Sequence, residues 1–184
     1  DISSVEKKLE KIAEKGKTAM IFCVEDEVAG LIATKDALRS NAKEVIEHLK
    51  EMGLEIVMLT GDNSNTAKAV AEQLGIERVI SEVLPSGKAT EIEKFKNSGS
   101  CVAMVGDGIN DAPALAAADI GIALGSGTDV AMEASDITLV GSNIKAVVDS
   151  IKLSKATMSK IRQNLFWAFI YNILGIPIAA GILY

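Results

Sequence analysis

From Asp36 onward the sequence alternates strictly between short apolar runs and longer amphipathic stretches, and this rhythm restricts the fold more than any other feature. A helix is expected over 40–52, with Ala42, Val45, Ile46 and Leu49 on one face, followed by a strand over 55–59. Helices over 65–74 and 86–96 lead in turn to strands at 78–81 and 101–105. The segment 104–124, MVGDGINDAPALAAADIGIAL, then runs from a strand through a Gly106-Asp107-Gly108 turn and an alanine-rich helix into a second strand. A short helix at 129–134 and a strand at 137–140 complete the series. Successive βα units of this kind build a parallel sheet with helices on both faces, an α/β, Rossmann-like fold.

The flanks read differently. Ser3 and Glu6 form a capping box for a helix that stops at Gly16, and two apolar runs around Glu25-Asp26-Glu27 suggest a hairpin. After 143 the pattern is helical and amphipathic as far as Arg162. It then enters LFWAFIYNILGIPIAAGILY, 165–184, which contains no charged residue and matches the length of a membrane-spanning helix. Lys155, Lys160 and Arg162 precede it and place that end on the cytoplasmic side.

Composition removes several classes of function. With 48% apolar and 24% charged residues the chain is globular rather than disordered, and its net charge of −6 argues against nucleic-acid binding. Cys23 and Cys101 stand in separate apolar runs without metal-ligand spacing and read as buried thiols. The single His48 falls among charged residues and reads as a surface group.

Chemistry collects at the strand ends, where open α/β sheets bind ligands. Asp107 and Asp111 flank the turn after one strand and offer hard oxygen ligands suited to Mg²⁺. Taken alone, Asp111 also reads as the N-cap of the following helix, with Pro113 in its first turn. Thr60-Gly61-Asp62-Asn63 repeats the arrangement at a second strand end, with a hydroxyl, backbone N–H groups and a helix N-terminus that favour an anion. Asp62 alone reads as a helix cap. Lys88 lies in the first turn of a third helix, where a cation opposes the helix dipole. A solvated surface lysine is the plain alternative, but the joint placement at three strand ends suggests phosphoryl chemistry, with Lys88 and Mg²⁺ neutralising the transferred group. Thr60, Lys88 and Asp107 are therefore expected to converge on one cleft. Gly125 and Gly127 do not make a dinucleotide fingerprint, because its third glycine would fall at Val130.

The segments TGDN, LPSGK, MVGDGINDAPALAAADIGIALGSGTDVAMEASDITLV and NLFWAFIYN together resemble a heavy-metal P-type ATPase of the copper-transporting branch, over essentially the whole chain. The resemblance implies that 1–34 ends a nucleotide-binding domain. It makes 35–145 a haloacid dehalogenase-like phosphorylation domain without its nucleophile strand, and 146–184 an amphipathic stalk and transmembrane helix. Thr60, Gly61 and Asp62 would contact the phosphoryl group and Lys88 would stabilise its charge. Asp107 and Asp111 would hold Mg²⁺ with Asn110 in support, and Tyr171 and Asn172 would help bind transported Cu⁺. Physically, a phenol and an amide are poor ligands for so soft an ion, so that last assignment rests on the resemblance alone.

The family's Asp-Lys-Thr-Gly-Thr motif is a departure, since none of the ten aspartates here precedes a lysine. The chain is thus expected to be a portion of an ATP-driven copper(I) export pump, inactive alone. Its implied partners are the actuator domain, the rest of the nucleotide domain with most of the ATP site, the other membrane helices, the lipid bilayer and a copper chaperone. A free-standing haloacid dehalogenase-type phosphatase and a non-catalytic, membrane-anchored Mg²⁺- or phosphate-binding regulator are the competing readings.

Overall fold

The computed structural model describes residues 5–13, 17–25, 27–34, 38–107, 109–125, 129–141 and 143–181. Expectations resting on Ser3, Gly16, Gly108 or Gly127 lie outside these residues. The chain divides into two units, 1–145 and 146–184.

The first unit begins with helix α1 (Glu6–Ala13) and an antiparallel hairpin of β1 (Thr18–Val24) and β2 (Glu27–Thr34). Met20, Phe22, Val24 and Ile32 remain exposed on the hairpin. The expectation of two buried thiols is corrected, because Cys23 and Cys101 are both exposed. Cys23 belongs to this open hairpin, and Cys101 precedes a strand that starts only at Ala103.

The alternating region follows the expected order. Helix α2 (Ala42–Glu51), β3 (Val57–Leu59), α3 (Ser64–Leu74) and β4 (Arg78–Ile80) come first, then α4 (Pro85–Asn97) and β5 (Ala103–Gly106). A 3₁₀ turn (Ile109–Asp111) runs into α5 (Ala112–Ala117), followed by β6 (Ile120–Leu124), α6 (Asp129–Glu133) and β7 (Ile137–Leu139). All pairing in this region is parallel, as short crossover helices require. The single sheet expected from the sequence is instead two pieces, β3 with β4, and β5-β6-β7 in that order. Strands pair only at a spacing of about 4.8 Å, and among the described residues no strand bridges β3 and β5.

Helix α4 ties the two pieces together. Its Phe95 ring lies under the Arg78 guanidinium of β4, 4.5 Å from the ring centre. Its Lys96 donates to the Ala117 carbonyl at 2.7 Å and pairs with Asp119 at 3.3 Å beside β6. On the β3 side, Ile46 of α2 and Ala71 of α3 pack with Ile76 against Ile56, Met58, Leu74 and Val79. On the other, Ala112, Ala114 and Leu115 of α5 are buried, as are Ile122, Ala123 and Leu124 of β6.

Two aspartates set the register of the larger sheet. Asp119, just before β6, accepts the Val102 N–H at 2.8 Å and returns its own N–H to the Val102 carbonyl at 3.0 Å. Asp136, just before β7, makes the same reciprocal pair with Gly121, at 2.8 and 2.9 Å. Both sit at the amino edge of the sheet, so Asp119 serves the fold rather than the strand-end site. Gly125 is required by packing, since a side chain there would run into the Leu139 carbonyl and the Gly141 amide.

Helix α7 (Lys145–Ala179) is continuous, and the Asn143 side chain caps it by accepting the Lys145 N–H at 3.0 Å. No helix among the described residues is long and apolar enough to cross a membrane. The expected span at 165–184 is therefore not realised in them. The helix ends at Ala179, and its uncharged stretch from Leu165 is shorter than the roughly 20 residues a hydrocarbon core requires. Residues 182–184 of that span lie outside the described residues.

The Val102 N–H, aided by Lys96, holds the Asp119 carboxyl below its ordinary value of 3.8. A depressed pKa stabilises the fold above the ordinary value, and the contribution disappears as pH falls through the lower native one. Denaturant titrations in steps from about pH 6 to about pH 2 should therefore show an acid-dependent loss that Asp119→Asn lacks. Gly121→Ala should cost about 1–3 kcal/mol, because its Cβ would meet the Leu115 carbonyl at 2.7 Å; the same titration at neutral pH measures it.

Candidate functional site

The Thr60 loop follows β3 directly. The Thr60 hydroxyl donates to Asp62 Oδ2 at 3.0 Å and accepts the Asp62 N–H at 3.1 Å, which folds the loop onto itself. Asp62 does not cap α3. Asn63 does, its Oδ1 accepting the Thr66 N–H at 3.0 Å. The Thr66 hydroxyl beneath that cap is buried without a partner among the described residues.

Backbone hydrogen bonds fasten this loop to the entry of α4. Glu82 N–H donates to the Asp62 carbonyl at 2.9 Å and Val83 N–H to the Thr60 carbonyl at 3.1 Å. Glu82 has a φ of 59°, a left-handed conformation uncommon for a side-chain-bearing residue and tolerated where surrounding bonds enforce it. Pro85 opens α4 after an extended Leu84, and a turn later Lys88 points back to the sheet.

Lys88 Nζ meets Asp111 Oδ1 at 2.6 Å, with side chains only 16% and 15% exposed. Asp111 is the N-cap residue of α5 by position, as expected, but its side chain makes no cap hydrogen bond. The 3₁₀ turn before it continues helical geometry into α5, which frees the carboxylate for Lys88. Gly106 makes room for it: a Cβ there would lie 2.7 Å from Asp111 Cβ and 3.0 Å from Oδ2. Asp107, the next residue, is exposed and pairs with Arg39 Nη2 at 3.2 Å. Asn110 is exposed and its side chain has no hydrogen bond among the described residues.

The structure thus joins Lys88 to Asp111 and sets Asp107 beside them at the end of β5. No hydrogen bond or ion pair among the described residues runs from Thr60, Gly61 or Asp62 to Asp107. The link is indirect, through Glu82 and Val83 and then α4. Two participants escaped the sequence reading. Arg39 lies far from Asp107 in sequence and carries no motif, so only the fold could reveal it. Glu82 belongs to no motif either, although it lies only two positions before LPSGK.

Asp107 and Asp111 are the right kind of donor for Mg²⁺, both presented from one strand end. As a pair they fall short of a full octahedral set, and no cluster of three or more acidic, histidine or cysteine ligands occurs among the described residues.

A strand-end lysine–carboxylate pair on a parallel sheet accords with the family model that matches residues 3–119, described as haloacid dehalogenase-like hydrolase. The chain belongs to that family. It is 51% identical over 172 residues to a copper-exporting P-type ATPase of Bacillus subtilis, and 56% identical over 165 residues to one of Staphylococcus aureus. These alignments cover 94% and 90% of this chain, which spans 21% of the length of each relative. Among solved structures it is similar to a zinc-transporting PIB-type ATPase in the E2.Pi state, with TM-score 0.81 and 38% identity, over 98% of this chain and 30% of that one.

Removing one partner of the Lys88–Asp111 pair leaves a mostly enclosed charge. Lys88→Met should destabilise the fold by about 1–3 kcal/mol, and Asp111→Asn in the same background should recover part of that loss. Denaturant midpoints of the four proteins of this double-mutant cycle give the coupling directly.

Proposed function

We propose that this chain is part of an ATP-driven copper(I) export pump, supplying the Mg²⁺-binding and phosphoryl-stabilising side of its phosphorylation domain. The Lys88–Asp111 contact under Gly106 carries this reading, because it holds a cation at the carboxyl end of β5 beside a second, exposed carboxylate. Relatives named copper-exporting, at 51% and 56% identity, support copper as cargo over zinc, whose transporter is similar at 38%. The break between β3 and β5 is consistent with a strand contributed from outside this chain, carrying the acceptor aspartate that no residue here can match.

In this reading residues 1–34 end the nucleotide-binding domain and 35–145 belong to the phosphorylation domain. The Thr60 hydroxyl and the Gly61 and Asp62 backbone would contact the phosphoryl group. Lys88 would neutralise its charge from a fixed position, with Asn110 available to hydrogen-bond nearby. Asp107 and Asp111 would hold Mg²⁺, which supplies charge neutralisation at the transferred group when bound. Most of the ATP site would lie on the remainder of the pump.

Residues 146–184 would continue as a stalk into a membrane helix, with the phosphorylation domain on the cytoplasmic side. Exposed apolar side chains along the C-terminal half of α7 support this, among them Phe166, Trp167, Phe169, Ile173, Leu174 and Ile178. A helix apolar on all sides is one that lipid or neighbouring helices cover. Asn172 Nδ2 donates to the Ala168 carbonyl at 2.9 Å, which covers one amide group in a dry setting. Pro177 removes the helical donor for the Ile173 carbonyl. Tyr171 and Asn172 would line the copper path there, beside the other helices of the pump, with delivery by a copper chaperone.

In a complete pump, Asp107→Asn should reduce phosphoenzyme formation from ATP by at least about a hundredfold. Wild-type levels in that assay would refute the Mg²⁺ assignment. Asn172→Leu should cut copper-stimulated ATP turnover while sparing back-phosphorylation by inorganic phosphate. Normal copper transport by that variant would return Asn172 to a packing role.

A further inference from the structure

The two carboxylates at the end of β5 carry cations of different kinds. Lys88 and Asp111 are mostly enclosed and 2.6 Å apart, so separating them would strand a charge. Arg39 and Asp107 are 3.2 Å apart, with side chains 37% and 53% exposed, and water can take over either partner at little cost. One pair is a fixture; the other can exchange.

Arg39 reaches this place from a fixed backbone. Its carbonyl accepts the Ala42 N–H at 2.9 Å in the turn that starts α2. In that same turn Asn41 Nδ2 donates to Asn143 Oδ1 at 2.6 Å, which anchors it to the segment ahead of α7. The guanidinium is therefore delivered to Asp107 rather than swept past it by chance. It bonds Oδ2, one of the oxygens through which Asp107 would ligate a divalent cation.

We propose that Arg39 is a positioning residue that occupies the cation place at Asp107 and is displaced when a divalent ion binds there. This rests on the reading of Asp107 as a Mg²⁺ ligand. The physical basis is simple competition. A guanidinium and Mg²⁺ compete for the negative charge of one carboxylate, and like charges a few ångströms apart repel. While the ion is absent, Arg39 holds the Asp107 carboxylate oriented and partly neutralised. When the ion arrives, the weak exposed pair opens and Arg39 turns to solvent or to another acceptor, while Lys88 stays on Asp111. Metal affinity is thereby set lower than the carboxylates alone would give.

The test is a Mg²⁺ titration of this chain followed by amide and arginine Nε–Hε NMR resonances, on the parent, Arg39→Gln and Asp107→Asn. Arg39 is partly exposed, so the glutamine variant should keep the dispersed spectrum of the fold. The expected result is Mg²⁺ affinity about two- to fivefold tighter in Arg39→Gln, the factor that loss of one exposed ion pair implies. In the parent, the Arg39 Nε–Hε resonance should move with Mg²⁺ toward its position in metal-free Asp107→Asn. Unchanged or weaker affinity in Arg39→Gln, with Asp107→Asn impaired, overturns the displacement and leaves the Mg²⁺ site standing. Equal responses in Asp107→Asn and the parent remove the Mg²⁺ site itself, and the proposal with it.

Discussion

The lysine–carboxylate contact between α4 and the end of β5 is the joint on which the alternating region turns. Lys88 and Asp111 lie on elements that belong to different halves of the sheet, and among the described residues no strand pairing connects those halves. Helix α4 does so with two lysines. Lys88 engages the carboxyl edge at Asp111, and eight positions later Lys96 engages the amino edge at Ala117 and Asp119. Eight residues of helix rise about 12 Å, close to the length of the four-residue strand β5 that it flanks. One helix thereby fixes both ends of its neighbour, and the geometry at the Asp107 end follows from that.

The order of elements was legible because each apolar run is short and each helix carries its own punctuation. Pro85 at the start of α4 and Gly75 after α3, with a φ of 72°, are such local signals, whereas the cap of α3 falls on Asn63, one residue after the Asp62 that the sequence offered. The lysine–carboxylate pairing was legible in outline, since topology places strand ends on one edge. What could not be read was pairing across the chain. Whether β3 and β5 are neighbours depends on which strands are present, not on the residues of either. The fates of Cys23 and Cys101 depended on what covers them, which an apolar run does not state.

Carboxylates make the same point in finer detail. Asp111, Asp119 and Asp136 all stand next to an apolar segment with an aspartate at its boundary, and all could be helix or strand caps on local grounds. Asp119 and Asp136 instead clamp neighbouring strands through reciprocal backbone bonds, while Asp111 leaves its helix uncapped and turns to Lys88. The difference lies in which donor each meets. Asp119 and Asp136 each meet a backbone N–H at the amino edge, whereas at the carboxyl edge Asp111 meets the Lys88 ammonium, and Gly106 lets its carboxylate lie close against the strand.

The strand-end groups are also nearly self-satisfied. Thr60 and Asp62 bond each other, Glu82 and Val83 take the loop carbonyls, Lys88 neutralises Asp111 and Arg39 neutralises Asp107. In a chain of net charge −6, two adjacent carboxylates without counterions would repel each other and weaken the turn that holds them. Local cations remove that repulsion, so the edge can fold before any ligand is present. In the proposed reading, binding at such an edge would proceed by exchange of partners rather than by folding of a loop. The readily exchanged partners are the exposed ones, so in that reading Asp107, rather than Asp111, is the carboxylate open to exchange.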